Sequence, residues 1–208
     1  MTRSRQTMVA LTTILLALTT IGVGTAEDKV PEGWTSLFNG KDLTGWKASE
    51  GAEWKVENGE IITPPKVSHL FTDKEFKNFE YKVDCLTKPG TNSGLYFHTK
   101  FEGGFPKTGF EVQVNQTQGD PVKSGSLYNL VKVFSSPVKD DEWYTYHIIV
   151  KGRQITVKIN DKTLYEYVEP AGVTGVTNKL GMGSFAIQAH DPKSEAHYKN
   201  IMVKVLPD

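Results

Sequence analysis

Three stretches of alternating sequence gather polar side chains of a particular chemical kind. In 93–98, Leu95 and Phe97 point one way while Tyr96 and His98 point the other. In 110–115, Phe110, Val112 and Val114 oppose Glu111, Gln113 and Asn115, and in 185–190, Phe185 and Ile187 oppose Gln188 and His190. A face that only meets water would favour Lys, Glu and Thr. Amides, imidazoles, one carboxylate and a phenol are the hydrogen-bonding set that suits sugar hydroxyls. The alternative is an ordinary solvated sheet face.

Other chemistries find less support. His98, His190 and Glu111 are zinc-capable types, but no paired-histidine spacing accompanies them, and neither a metal nor any other cofactor is expected. Gly181-Met182-Gly183-Ser184-Phe185-Ala186 has the spacing of a dinucleotide loop, yet it enters an alternating strand rather than a helix. Ser93 and Ser126 lack a nucleophile elbow and an evident base. His69, His147 and His197 are scattered and read as structural or exposed residues.

The elements that must position these groups read as strands and turns. Alternation marks 79–86, 110–115, 185–190 and 201–205, and 143–151 is a run of aromatic and β-branched residues. Residues 154–159 and 163–168 flank Asn160-Asp161, a hairpin turn signal. Turn signals about 8–12 residues apart, with no helical stripe outside the N-terminus, favour a sandwich or jelly roll. Residues 116–141 form one long irregular segment with Gly119, Pro121, Gly125 and Pro137, a length usually kept for function. It is expected to border the site and bring Tyr128 to it. Trp34, Trp46, Trp54 and Trp143 are expected to pack in the core or at edges rather than to stack on sugar.

The 208 residues carry 24 basic and 24 acidic side chains, a balance that excludes a phosphate-neutralising nucleic-acid binder. Arg3 and Arg5, an apolar stretch over 9–23 and Gly24-Thr25-Ala26 together read as a signal peptide over 1–26, cleaved after Ala26. The alternative is an uncleaved anchor, but the apolar stretch is short and threonine-rich for a span, so no stable membrane insertion is expected. Periplasmic or secreted location follows, with 27–208 as one domain. The lone Cys85 has no partner in the chain and alternates with Phe79, Tyr81 and Val83, which predicts a buried, inert thiol.

The stretch Gly33-Trp34-Thr35-Ser36-Leu37-Phe38-Asn39-Gly40-Lys41-Asp42-Leu43-Thr44-Gly45-Trp46 closely resembles the opening signature of the 3-keto-disaccharide hydrolase domain family. Further matches follow in order, among them Asn92-Ser93-Gly94-Leu95-Tyr96-Phe97, Gly109-Phe110-Glu111-Val112-Gln113-Val114, Ser124-Gly125-Ser126-Leu127-Tyr128, Ile187-Gln188-Ala189-His190 and Tyr198-Lys199-Asn200-Ile201. The resemblance implies an all-β, concanavalin A-like jelly-roll sandwich of two antiparallel sheets whose concave face binds sugar. It also implies cleavage of glycosides or disaccharides already oxidised at C3. Ala189 stands where the family commonly has aspartate, and Lys199 where it commonly has arginine; if that arginine grips substrate bidentately, lysine is a poorer substitute.

Glucanases of the same sandwich class carry an E-x-D-x-x-E strand, and the corresponding positions here are Glu111, Gln113 and Gln116. One carboxylate remains, so double displacement lacks a partner. A 3-keto sugar needs less, because its ketone acidifies the C2 proton and the group at C1 lies β to the resulting carbanion. Glu111 or His190 could be the base. Asn92, Tyr96, His98, Gln113, Tyr128, Gln188 and Lys199 are the expected substrate-binding groups. The alternatives are a non-catalytic carbohydrate-binding module on the same face and a structural jelly roll in a surface assembly.

Overall fold

Strand formation follows the alternation of the sequence. In Phe79–Thr87 every odd-numbered residue is buried, from Phe79 to Thr87, while Glu80, Lys82, Asp84 and Leu86 are only half-buried. The computed structural model describes residues 30–175 and 177–208. The expected signal peptide and its cleavage site lie outside the described residues. Among the described residues all regular structure is strand, and no helix is long and apolar enough to cross a membrane.

In chain order the strands are β1 (Thr35–Ser36), β2 (Trp46–Ala48), β3 (Lys55–Glu57), β4 (Glu60–Ile62), β5 (Ser68–Phe76), β6 (Phe79–Thr87) and β7 (Asn92–Thr99). They continue with β8 (Phe110–Asn115), β9 (Tyr144–Lys151), β10 (Gln154–Ile159), β11 (Lys162–Val168), β12 (Gly183–Ala189) and β13 (Ala196–Val205). One sheet has the order β11-β10-β9-β6-β13-β4-β3, with β1 beside β13, and the other has β2-β5-β12-β7-β8. Every pairing is antiparallel, which makes the molecule a jelly-roll sandwich.

Between the sheets, Tyr81, Val83, Tyr146, Ile148 and Tyr198 of the larger meet Leu95, Val112, Phe185 and Ile187 of the smaller. The Tyr81 and Phe185 rings stack 4.1 Å apart. Cys85 sits in this core, where burial pushes its thiol up to about 12, so it is inert as its alternation predicts. Trp46 and Trp54 are also core residues, their indole N–H groups donating to the Leu37 carbonyl and the Ser68 hydroxyl. Asn160 and Asp161 both adopt left-handed φ, as the two-residue turn between β10 and β11 requires.

The two sheets differ in what lies outside them. In β7 and β12 every residue is buried, inward and outward alike. Loops therefore cover the outer face of the smaller sheet at its centre.

Candidate functional site

Register sets the site. Lys47 of β2 lies opposite Phe71 of β5, Phe71 opposite Ala186 of β12, Ala186 opposite Tyr96 of β7, and Tyr96 opposite Glu111 of β8. This row crosses the whole outer face of the smaller sheet, and Phe71, Tyr96 and Ala186 form an apolar cluster separate from the main core. One pleat along, His69 lies opposite Gln188, and Gly94 opposite Gln113. His190 follows Gln188 by two positions, just past the end of β12.

Glu111 is half-buried and turned across β7. Gly94 makes room for it: a Cβ there would overlap the Glu111 carboxylate. The Gln188 amide donates to the Tyr96 hydroxyl at 2.8 Å and to Glu111 Oε1 at 3.4 Å, using one N–H for each. Burial pushes the Glu111 carboxyl up to about 7; the charge of Asp120 adds to this, while hydrogen bonds from Tyr96 and Gln188 oppose it. Burial, and then the Glu111 charge, drive the Tyr96 hydroxyl well above its usual value, so it remains a donor at every physiological pH.

His190 is held by a relay. The Asn92 backbone N–H donates to Ser194 Oγ, Ser194 Oγ donates to Asp191 Oδ2, and His190 Nδ1 lies 3.0 Å from that same oxygen. Hydrogen bonds from His190, Lys193 and Ser194 together outweigh burial and hold the Asp191 carboxyl below its usual range. An ionised Asp191 can only accept, so Nδ1 carries the proton and Nε2 is the ring's acceptor. The Asn92 side chain accepts from Gln113 Nε2 at 3.2 Å, and both residues are buried on the outer face.

The segment after β8 returns as an added edge. Val112 and Leu127 form a bridge, Gly125 N–H donates to the Gln113 carbonyl, and Tyr128 N–H donates to the Glu111 carbonyl at 2.9 Å. Tyr128 is thereby placed beside Glu111, and the charges of Asp120 and Glu111 add to burial in raising its pKa.

Two expected residues lie elsewhere. His98 adopts left-handed φ (55°) opposite a register shift between Ser184 and Ala186, and this bulge swings its ring off the outer face. Its Nε2 lies 2.9 Å from the Lys77 carbonyl, its Nδ1 accepts from the Gly181 N–H, and its ring packs edge-on against Phe79. Both nitrogens serve the backbone, so neither the sugar-binding nor the zinc-capable reading of His98 survives. Lys199 lies on β13 in the opposite sheet, across from Asp84, with its ammonium 3.9 Å from the Trp143 ring centroid. That position sets Lys199 apart from the outer face that carries Tyr96, Glu111 and Gln188. Ala189 is fully buried in the core.

The sequence reading missed His69, Phe101 and Phe105. His69 is fully buried beneath the 100–109 loop, its ring edge-on to Tyr96 at 5.3 Å and to Phe105 at 5.7 Å. Phe105 also meets His190, and Phe101 meets Phe71, yet the two phenyl groups keep 49% and 46% exposure. A pair of phenylalanines flanking Gly103-Gly104 was the available signal.

Residues 33–204 match the model of the 3-keto-alpha-glucoside-1,2-lyase-like domain. A protein from Parabacteroides distasonis ATCC 8503 named a "putative glycosyl hydrolase" is 25% identical with a TM-score of 0.72, over 85% of this chain and 95% of that one. Another structure under that name from the same organism is 23% identical with a TM-score of 0.69, over 83% and 99%. The carbohydrate-binding module CBM66 from Bacillus subtilis has the same fold at 14% identity and a TM-score of 0.54, over 77% and 95%. No curated protein matches the chain.

Proposed function

The chain belongs to the 3-keto-alpha-glucoside-1,2-lyase-like domain family, and from that premise we propose an exported, carbohydrate-active enzyme that cleaves glycosides oxidised at C3. The observation that carries this reading is Glu111, a carboxyl whose burial brings it to about 7 beside the neutral hydrogen-bonding side chains of Tyr96 and Gln188. That is the range in which a carboxylate can take a proton near neutral pH and give it back.

In the proposed reaction Glu111 removes the C2 proton, and the electron pair moves into the C3 carbonyl as an enolate. Tyr96, always protonated, and the Gln188 amide donate to the Glu111 carboxylate in the resting site, and as Glu111 takes up the proton these donors turn to the developing charge. Collapse of the enolate breaks the C1–O bond, and Glu111 returns the proton to the departing oxygen, while His190, oriented by Asp191, accepts a hydrogen bond at Nε2 from the incoming water. Water then adds at C1 of the enone while C2 regains a proton, completing a net hydrolysis. Asn92 and Gln113 position the sugar from the far end of the face, and Tyr128 borders it from the returning edge.

The second reading is a sugar-binding module without chemistry, which the exposed rings of Phe101 and Phe105 would also suit. Incubation with a 3-keto-glucoside and with its unoxidised parent separates the two. Release of the aglycone from the oxidised substrate alone is the expected result; binding without release would leave only the module.

A further inference from the structure

His69 is fully buried and near the Gly104 backbone, yet neither ring nitrogen is within hydrogen-bonding geometry of any partner. Directly across the ladder stands Gln188, whose Oε1 is likewise buried and unpartnered. Folded proteins rarely leave such groups unpaired, and here two stand on cross-strand neighbours of one face. Burial, helped by nearby His190, holds the His69 imidazole down to about 4, so at neutral pH the ring presents one donor and one acceptor. A neutral hydroxyl, itself donor and acceptor, matches His69 together with Gln188 Oε1; an anion does not.

What separates the two from solvent is the 100–109 loop. Phe105 lies on both His69 and His190, and Phe101 lies on Phe71 with Lys47 above its ring. The turn at Gly104 has left-handed φ and is tied down by its N–H bond to Glu50 Oε1 on the β2–β3 connection. Half-exposed phenyl rings held by so few polar contacts make a cover that can lift.

We propose that His69 is a substrate-binding residue, uncovered when the Phe101–Phe105 turn lifts, and that with Gln188 it holds a hydroxyl of the sugar ring. This rests on the reading of the site as one for 3-keto glycosides and adds a specificity to it. A site built to pair with a hydroxyl rejects the analogue lacking it, because its own polar groups are then left buried and unpaired.

The test compares the unaltered mature protein with His69→Phe and His69→Gln on a 3-keto-glucoside, recording KM, kcat and melting temperature. The expected result for His69→Phe is a KM raised at least about tenfold, kcat within about threefold, and a melting temperature unchanged or higher, since an orphaned polar group has been removed. His69→Gln, which keeps a donor and an acceptor, should recover part of the KM. A lowered melting temperature with unchanged KM would make His69 a packing residue and overturn the proposal. If His69→Phe does not fold, KM for the Gln variant decides alone, and a value equal to that of the unaltered protein overturns it. Failure of the unaltered protein to cleave or bind the 3-keto-glucoside would bring down the functional reading itself, a result visible before any variant is made.

Discussion

The outer faces of the two sheets differ in residue type and in how their polar groups are satisfied. On the outer face of the larger sheet many polar groups pair with one another. His147 meets Glu80, Glu80 meets Lys204, His197 lies between Glu60 and Glu195, and Lys82 and Lys199 rest on Trp34 and Trp143. On the smaller sheet the loops bury the central strands, yet His69 and the Gln188 carbonyl oxygen are left unsatisfied, and Glu111 carries a raised pKa. A face that pairs its own charges is finished as it stands. One that buries hydrogen-bonding groups without pairing them leaves them open to the ligand proposed above.

The sharpest way to break this contrast is at Glu111. Glu111→Gln should cut turnover of a 3-keto-glucoside at least about a hundredfold, the usual scale for loss of a general base, with sugar affinity largely kept. If Glu111 is the base, kcat/KM of the unaltered protein should rise with pH through about 7 and level off above it, because the base acts only when deprotonated. Stability should move the other way. A carboxyl raised from 4.5 to about 7 binds its proton more tightly in the folded than in the unfolded state, so stability falls as pH rises between those values. At pH 8 Glu111→Gln should therefore melt higher than the unaltered protein, by at most about 3 kcal/mol.

Gly94→Ala tests the same carboxylate indirectly. The added methyl must displace the Glu111 side chain, which should lower kcat about tenfold or more and destabilise by about 1–3 kcal/mol. Steady-state kinetics beside thermal melts would show both. Tyr128→Phe should have a smaller effect, a few-fold change in KM or kcat, since the backbone bond that places the residue is retained. No change with any 3-keto substrate would remove Tyr128 from the site. The mildest variant lies on the paired face. Lys199→Ala should leave turnover unchanged and cost no more than about 1 kcal/mol, the scale of one exposed cation–π contact. A large loss of turnover there would end the division of labour between the faces.

Much of this was legible in the chain itself. Strict alternation in Phe79–Thr87 reports which side chains pack inward, because successive side chains of a strand must point to opposite faces. Asn160-Asp161 reports its hairpin because few residues tolerate left-handed φ twice in succession. The same local rule places Tyr96, Glu111, Gln113 and Gln188 on the outer face, and the ordered motifs report the family. The rule fails at His98, where a bulge set by the partner strand reverses the expected side. It says nothing about Lys199, whose strand lies in one sheet or the other according to pairing across more than a hundred residues of chain. Nor does it reach His69, an unremarkable residue until β5, β7 and the 100–109 loop close around it. Side-chain direction is a property of neighbouring residues and can be read from them. Desolvation and unsatisfied hydrogen bonds belong to groups far apart in sequence, and only the folded chain brings those together.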